Sequence, residues 1–542
     1  MKRFALLWCI IAACLVTIIV GVLTYNIETN YLAHNSYFYD SVYYQFYNAR
    51  LAERLDSESR WAVAWDELVQ NDRHPLRTVP LVLLYPTALT QPLGHLFTLL
   101  PSFAILLSLM AWLIYRRSHS LLYSVVGICL FSSLPIFYDA TYGIAVYWLE
   151  WQAAAWVASA SICLLLAYQQ RRWLIGFALC AAAAVLSRYI AAMFLVVTCA
   201  PLFVLYLKQS QKRWQDLAWT FGIILTLAGY FLIAHVQGNL HFYSTYGYAL
   251  NQSFVASANF IVTGLVGFVQ RLFVVGCLLA ITISAIISRR QWRWSEFFQV
   301  AWLGIGPLVL LLALRSVGAV HPLAYSLVGL VLTALVPVSW PQSLSRLRFV
   351  SITGIAVIAL VLTWQHWQTI GQLQAQAMTT QKQFDQTLAQ AVAQIPDDTI
   401  VWNGFFDEYT WIPAMENYYQ TGKLYLPAGQ PFFNAHLSAW QGDYPGLSDQ
   451  QISERVYAGT NRWVDVAVVL ADATPTHTGE WMNNTTSQAV SAYMTKQLAQ
   501  DSNWEQVFTV ESFYGTLIGY RNLHSDPENY TLTLHVDPAV RP

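Results

Sequence analysis

RRWLIGFALCAAAAVLSRYIAAMFLVVTCAPLFVLYLKQSQKR, Arg171 to Arg213, holds two apolar runs with basic residues at both outer ends and Arg188 alone between them. Runs bounded in this way fit two short spans that leave and return to the same side of a bilayer, turning at Ser187-Arg188-Tyr189. Each run is shorter than the roughly 20 residues of an isolated span, a length that helices paired as a hairpin inside a bundle tolerate. The surrounding sequence repeats the pattern. Basic residues cluster at Lys2/Arg3, Arg116/Arg117, Arg171/Arg172, Lys208/Lys212/Arg213, Arg289/Arg290/Arg293 and Arg346/Arg348, at alternate ends of successive apolar runs. Those clusters mark the cytoplasmic side.

Composition agrees. The 542 residues are 56% apolar and 15% aromatic but only 11% charged, where a soluble protein carries about a quarter charged residues. The bulk of the chain therefore belongs in lipid. A net charge of -1 gives no polyanion signal, and neither a basic arm nor a nucleic-acid motif is present. The seven cysteines, Cys9, Cys14, Cys129, Cys163, Cys180, Cys199 and Cys277, all fall inside apolar runs, which excludes a disulfide framework and a zinc pattern. Ile11-Ala12-Ala13-Cys14 resembles a lipoprotein cleavage box, but the apolar run continues through Leu23, which fits a retained span.

The expected fold is a polytopic α-helical membrane protein with about 11 transmembrane helices and a C-terminal extracytoplasmic α/β domain. The spans fall near 5–24, 93–115, 121–137, 148–169, 173–187, 190–207, 217–235, 261–287, 297–314, 322–339 and 349–366. The transmembrane domain covers 1–366 and the tail 367–542. An odd number of spans with a cytoplasmic N-terminus places the tail outside, together with a long loop at about 25–92. Within that loop, 41–70 has the pattern of an amphipathic helix at the interface, anchored by Trp61 and Trp65. In the tail, a polar helix ends at Pro396 and strand-like runs follow at 399–403, 464–471 and 505–510.

Ionisable residues bordering spans are costly and mark function by default. Asp40, Arg73, His74, Arg77, Asp139, Glu150, Arg188, Arg315 and His321 all map to external span ends or external loops. A carrier would instead place such groups near the bilayer midplane. Asp40 lies in YFYDSVYYQFYNAR (Tyr37 to Arg50), with Tyr44 and Tyr47 on its face at helical spacing. A carboxylate among aromatics suits a general base toward an acceptor hydroxyl; it equally suits a helix cap or belt residue paired with Arg50 or Arg54. Asp139 and Glu150 flank one short loop and are candidates for a second acid, though Asp139 also fits a turn cap. Arg188 either reaches the headgroups or binds phosphate. Arg315 and His321 enclose RSVGAVH, where an interfacial role is the alternative. No HExxH, Walker loop, dinucleotide glycine fingerprint or GxSxG elbow stands in usable context. The tail sequons at Asn483, Asn484 and Asn529 matter only in a secretory pathway.

The order of these features resembles the GT-C class of integral-membrane glycosyltransferases, in particular the bacterial branch related to protein O-mannosyltransferases and lipid A aminoarabinose transferases. One span leads into a long external loop with an acid followed by aromatics, here Asp40 with Tyr43 and Tyr44. A proline-rich approach to the second span follows, RHPLRTVPLVLLYP, then Asp139 and Glu150 around the next external loop. The Arg171–Arg213 hairpin is similar to the family's basic–glycine–small–Lys/Arg hairpin, and HPLAYSLVGLVLTALVPV (His321 to Val338) looks like one of its later spans. The likeness covers about 1–366. Ser41 stands where the family usually has a second acid, and His74 with its neighbours replaces a KPPL-like stretch. Both departures leave acceptor and divalent-metal use open.

The resemblance implies a polyprenyl-phosphate-linked sugar as donor and a glycan, lipid or protein hydroxyl as acceptor. It implies transfer with inversion, Asp40 as base, and Tyr44, Arg73, His74, Arg77, Arg188, Arg315 and His321 as substrate-binding residues, in a bacterial plasma membrane. A polysaccharide polymerase or O-antigen-ligase-like enzyme is the related alternative. A flippase or transporter, and a scaffold whose tail binds a partner, are the non-enzymatic ones.

Overall fold

A computed structural model describes residues 2–27, 40–71, 74–89, 91, 93–138, 143–145, 149–237, 294–314, 321–335, 364, 368, 401–403, 433–434, 448–463, 465–471, 485–512 and 515–524. The chain divides into two compact units, residues 1–31 with 54–373 and residues 32–53 with 374–542.

The first unit is a helical bundle. Its long helices are α1 (Lys2–Ile27), α5 (Leu96–Ser118), α6 (Leu121–Ser132), α7 (Leu149–Ala167), α8 (Trp173–Ser187), α9 (Ala191–Gln209), α10 (Arg213–Ala234), α11 (Trp294–Leu314) and α12 (His321–Leu335). Between α1 and α5 in sequence come α2 (Asp40–Ser57), most of which falls in the second unit, and then α3 (Arg60–Gln70) and α4 (Pro75–Leu83) of the first. Among the described residues, five helices are long and apolar enough to cross a membrane: α1, α5, α7, α9 and α10. The expected spans at 261–287 and 349–366 lie outside the described residues.

Helix α7 is the axis. All but Trp156 of its 19 residues are buried, and α5, α8, α9, α11 and α12 pack around it. Such all-round burial needs small residues, which let neighbouring backbones come close where the lipid side offers no hydrophobic driving force. Ala153, Ala154, Ala155, Ala158, Ala160 and Ala167 of α7 and Ala178, Ala181, Ala182 and Ala184 of α8 are the buried alanines of this pair. Helix α1 shows the opposite pattern. Cys9, Ala13, Val16 and Val20 are buried along one stripe, facing α5 and α6, while Leu7, Trp8, Ile11, Leu15, Ile18 and Val22 are exposed as on a lipid-facing helix. Helices α11 and α12 cross closely: a Cβ on Gly329 would lie 2.1 Å from the Gly304 nitrogen and 2.2 Å from the Leu303 carbonyl carbon.

Two expected elements are shorter than the hydropathy pattern. The run at 41–70 is two helices, because Ser59 ends the break after α2 and caps α3, accepting from the Ala62 N–H at 3.2 Å. The span at 121–137 becomes α6 followed by a 3₁₀ turn, Pro135–Tyr138, since Pro135 lacks an N–H to continue the ladder. Trp61 and Trp65 of α3 are 76% and 68% exposed, one turn apart and opposite the buried Val63, Ala64 and Glu67.

The second unit contains a five-stranded sheet. Its strands are β1 (Val401–Asn403), β2 (Phe433–Asn434), β3 (Val466–Ala471), β4 (Trp504–Ser512) and β5 (Gly515–Asn522), in the order β2-β1-β3-β5-β4. Strand β1 pairs parallel with β2 and β3; β5 pairs antiparallel with β3 and β4, with an irregularity between Gln506 and Phe508. Val466, Ala467, Val468 and Val469 are all buried in sequence, the mark of a strand covered on both faces. Helix α14 (Thr485–Gln500) covers β3 and β4 and packs on α13 (Asp449–Trp463), burying Met494 and Leu498. The strands expected near 399–403, 464–471 and 505–510 are present as β1, β3 and β4. The β5 sequence was not anticipated: Gly515 and Gly519 interrupt its apolar pattern, and Gly519 lies under the Phe508 ring, where a Cβ would come within 2.2 Å of Cε1. The polar helix before Pro396 lies outside the described residues.

Candidate active site

The bundle has two chemically distinct ends, and the hydrogen bonds between helices define them. At one end Arg116, in the last turn of α5, donates to Gln169 just after α7 at 2.8 Å. There too Arg171, before α8, meets Asp216 of the first turn of α10. Tyr206 and Ser210 donate to the other Asp216 oxygen at 3.0 and 2.5 Å. Arg116, Arg117, Arg171, Arg172, Lys208, Lys212 and Arg213 therefore share one end of the bundle.

The opposite end carries two of the candidate residues, Glu150 and Arg188. Glu150 sits in the first turn of α7 and is buried. Arg188 closes α8 in an extended conformation (φ -160, ψ 125), with its N–H donating to the Ala184 carbonyl, and its carbonyl accepts from Ala191 as α9 begins. That turn sends the side chain inward. Its Nη2 lies 2.8 Å from Glu150 Oε1, with side-chain exposures of 15% and 5%. The first turn of α7 favours a carboxylate through the helix dipole, and the arginine compensates the charge that burial penalises. Arg188 is thus turned into the protein and not out toward headgroups.

Aromatic packing fixes the position of Glu150. Phe137 meets Trp151 at 5.0 Å between ring centroids, Phe131 at 5.1 Å and Phe103 at 5.3 Å. The Ile144 N–H donates to the Phe137 carbonyl at 2.8 Å, and His95 Nε2 lies 3.0 Å from the Ile144 carbonyl. The loop that contains Asp139 is therefore closed at its base and tied to the start of α5. Asp139 itself lies outside the described residues.

A second polar group occupies the elbow between α3 and α4. Glu67, Asn71, His74, Arg77 and Thr78 are all buried. Asn71 ends α3 and His74 precedes α4, whose first residue, Pro75, needs no hydrogen-bond acceptor for its nitrogen. Asn71 Nδ2 lies 2.9 Å from Glu67 Oε2 and 3.1 Å from His74 Nδ1, and Asn71 Oδ1 accepts from the His74 N–H at 3.0 Å. Helix α4 packs on α8 and α5. Tyr230 and His235, at the end of α10, meet the carbonyls of Leu68 and Val69 in α3, so the elbow sits at the Arg188 end.

His321 opens α12, and Tyr325 one turn later stacks on Phe194 in the first turns of α9, 3.9 Å between centroids and 8° from parallel. The backbone of His321 is therefore also at the Arg188 end. Asp40 opens α2, one turn before the buried Tyr44. Arg54, a sequence candidate for pairing with Asp40, is engaged by Glu58 at 3.0 Å and Asp66 at 2.9 Å. Arg73 and Arg315 lie outside the described residues. Sequence reasoning missed Glu67, Asn71 and Thr78. Their signal was present as E-x3-N-x2-H-P-x2-T, an amide at a helix end followed by His-Pro at the next helix start.

No family model matches the chain, and no curated protein matches it. Solved structures do. Over 83% of this chain and 88% of its own, ArnT from Cupriavidus metallidurans bound to undecaprenyl phosphate superposes with a TM-score of 0.53 at 10% identity. The apo state of that protein gives 0.52 at 11% identity, over 84% of this chain and 89% of its own. The chain has the fold of the GT-C membrane glycosyltransferases. With five described helices long and apolar enough to cross a membrane, this fold is that of a multi-pass helical membrane protein.

Proposed function

We propose that this chain is a membrane glycosyltransferase that moves a sugar from a polyprenyl-phosphate donor to an extracytoplasmic hydroxyl. The observation that carries the reading is the GT-C fold shared with ArnT, which was crystallised with undecaprenyl phosphate. The buried Glu150–Arg188 pair supports it, because a fixed guanidinium at the end of the bundle away from the basic clusters suits a phosphate at the membrane surface. The basic clusters then face the cytoplasm, and residues 367–542 form an external domain that holds or selects the acceptor.

In the reaction the acceptor oxygen attacks the anomeric carbon as the bond from that carbon to the phosphate oxygen breaks, inverting the centre. Asp40 takes the acceptor proton. The electron pair leaves with the polyprenyl phosphate, and Arg188 balances the growing charge, with His74, Arg77, Arg73, Arg315 and His321 as further groups for the donor. Glu150 holds Arg188 in place. Asp139 remains the candidate second acid, and Tyr44 lines the acceptor side.

The test is Asp40→Asn in the full chain, expressed in a strain lacking the wild-type copy. Surface glycans read by mass spectrometry should lose the product, with a fall of at least about 100-fold, while protein level and undecaprenyl-phosphate binding stay unchanged. Unchanged glycans would sink the assignment of the base.

A further inference from the structure

The Asn71 amide has its orientation dictated by two partners that cannot swap roles. The His74 backbone N–H can only donate, so the atom 3.0 Å away must be Oδ1. The Glu67 carboxylate accepts, so the atom 2.9 Å from it must be Nδ2. Nδ2 carries two hydrogens. One points to Glu67, and the other is directed between His74 Nδ1 at 3.1 Å and Thr78 Oγ1 at 3.3 Å. The Thr78 hydroxyl hydrogen is directed back to the Pro75 carbonyl at 3.4 Å, leaving its oxygen as an acceptor.

His74 Nδ1 therefore faces an N–H donor, and a hydrogen on Nδ1 would point at another hydrogen. We infer that Asn71, oriented by Glu67, is a positioning residue that holds His74 as the Nε2–H tautomer. Its neutral ring is then a one-way hydrogen-bond donor. The arrangement spans the helix break: Glu67 is on α3, Asn71 ends it, and His74 and Thr78 flank the start of α4. All four are buried, so water does not compete for these contacts and an alternative tautomer would leave a donor facing a donor. This deepens the role proposed for His74 and rests on that reading only in the oxygen that Nε2–H serves, which is one belonging to the donor phosphate. A lysine at such a position would bring a full charge; a neutral histidine brings direction without charge.

The test is direct observation of the ring by nitrogen NMR on the full chain in nanodiscs, with ¹⁵N-labelled histidine and His74→Gln to assign the signals. The wild type should show a protonated Nε2 and an unprotonated Nδ1 for His74. In Asn71→Asp the carboxylate faces Nδ1 as an acceptor, and the ring should change to the Nδ1–H or doubly protonated form. Asn71→Asp combined with Glu67→Gln provides the same reversal without two facing carboxylates, and so covers a single variant that fails to fold. A wild-type ring protonated at Nδ1 would overturn the inference, as would a tautomer unchanged in the double variant. If the tautomers behave as expected while undecaprenyl phosphate fails to bind the wild type, the proposed donor is wrong and the positioning role of Asn71 stands.

Discussion

Helix α8 has an arginine beside each end, and each arginine holds a carboxylate, yet the two pairs are built differently. At Arg171 the partner, Asp216, is buried with 1% exposure while the arginine is 44% exposed. Both Asp216 oxygens are used, one by Arg171 and one by Tyr206 and Ser210. Arg171 also reaches Gln215 at 3.3 Å. It is a clasp that joins the starts of α8 and α10 and ends at the solvent. At Arg188 both partners are withdrawn from solvent, and the arginine arises from a turn whose backbone is already held by Ala184 and Ala191. Withdrawing two charges from water is costly, and stability alone seldom repays it. The difference teaches that the chain spends stability at the Arg188 end, which is where a ligand of opposite charge would return it.

The widest gap between the two ends should appear on removing the arginines. Arg188→Gln leaves Glu150 buried without its guanidinium, and should cost about 3–5 kcal/mol and lower transfer by about 100-fold or more. Arg171→Gln should leave transfer within about twofold, because Tyr206 and Ser210 still donate to Asp216, and should cost about 1–2 kcal/mol. Thermal unfolding in detergent and glycan yield read both. Equal losses of transfer would erase the distinction.

A smaller effect is expected where the bundle is disturbed away from both pairs. Gly329→Ala places a methyl against the Gly304 and Leu303 backbone, so α11 and α12 must separate at a cost of about 1–3 kcal/mol. Donor binding should weaken less than in Arg188→Gln at matched loss of stability. The smallest effect belongs to a third pair, on the surface. The hydrogen bond from Arg54, opposed by a lesser desolvation, holds the Glu58 carboxylate below its ordinary range, and Glu58 in turn raises Arg54. A lowered carboxylate contributes stability above its unfolded value and loses it as pH falls through the folded one. Glu58→Gln should therefore lower stability slightly at neutral pH, leave it unchanged below the folded value, and so flatten the acid limb of the stability curve; a loss confined to acid pH would contradict that origin.

Much of this was legible in the sequence, for identifiable reasons. The Arg171–Arg213 hairpin was readable to within a few residues because basic ends and an arginine turn leave one register. Trp61 and Trp65 were readable as exposed because they recur one turn apart in a half-polar helix. The pairing of Glu150 with Arg188 was not, since 38 residues separate them and only the packing of α7 on α8 brings them together. The sequence offered each a role of its own. Asn71 escaped notice because its partners sit on two helices whose break falls between Asn71 and Pro75, residues with no apolar signal. Strand β5 was hidden by Gly515 and Gly519, the second of which makes room for the Phe508 ring.

The outward tryptophans of α3 have a consequence for the elbow behind them. Trp61, Trp65 and Val69 form an exposed stripe on a helix whose last carbonyls are held by the end of α10. On the proposed membrane reading such a helix lies at the acyl–headgroup boundary, which sets the depth at which Asn71 and His74, just beyond its end, meet the water line.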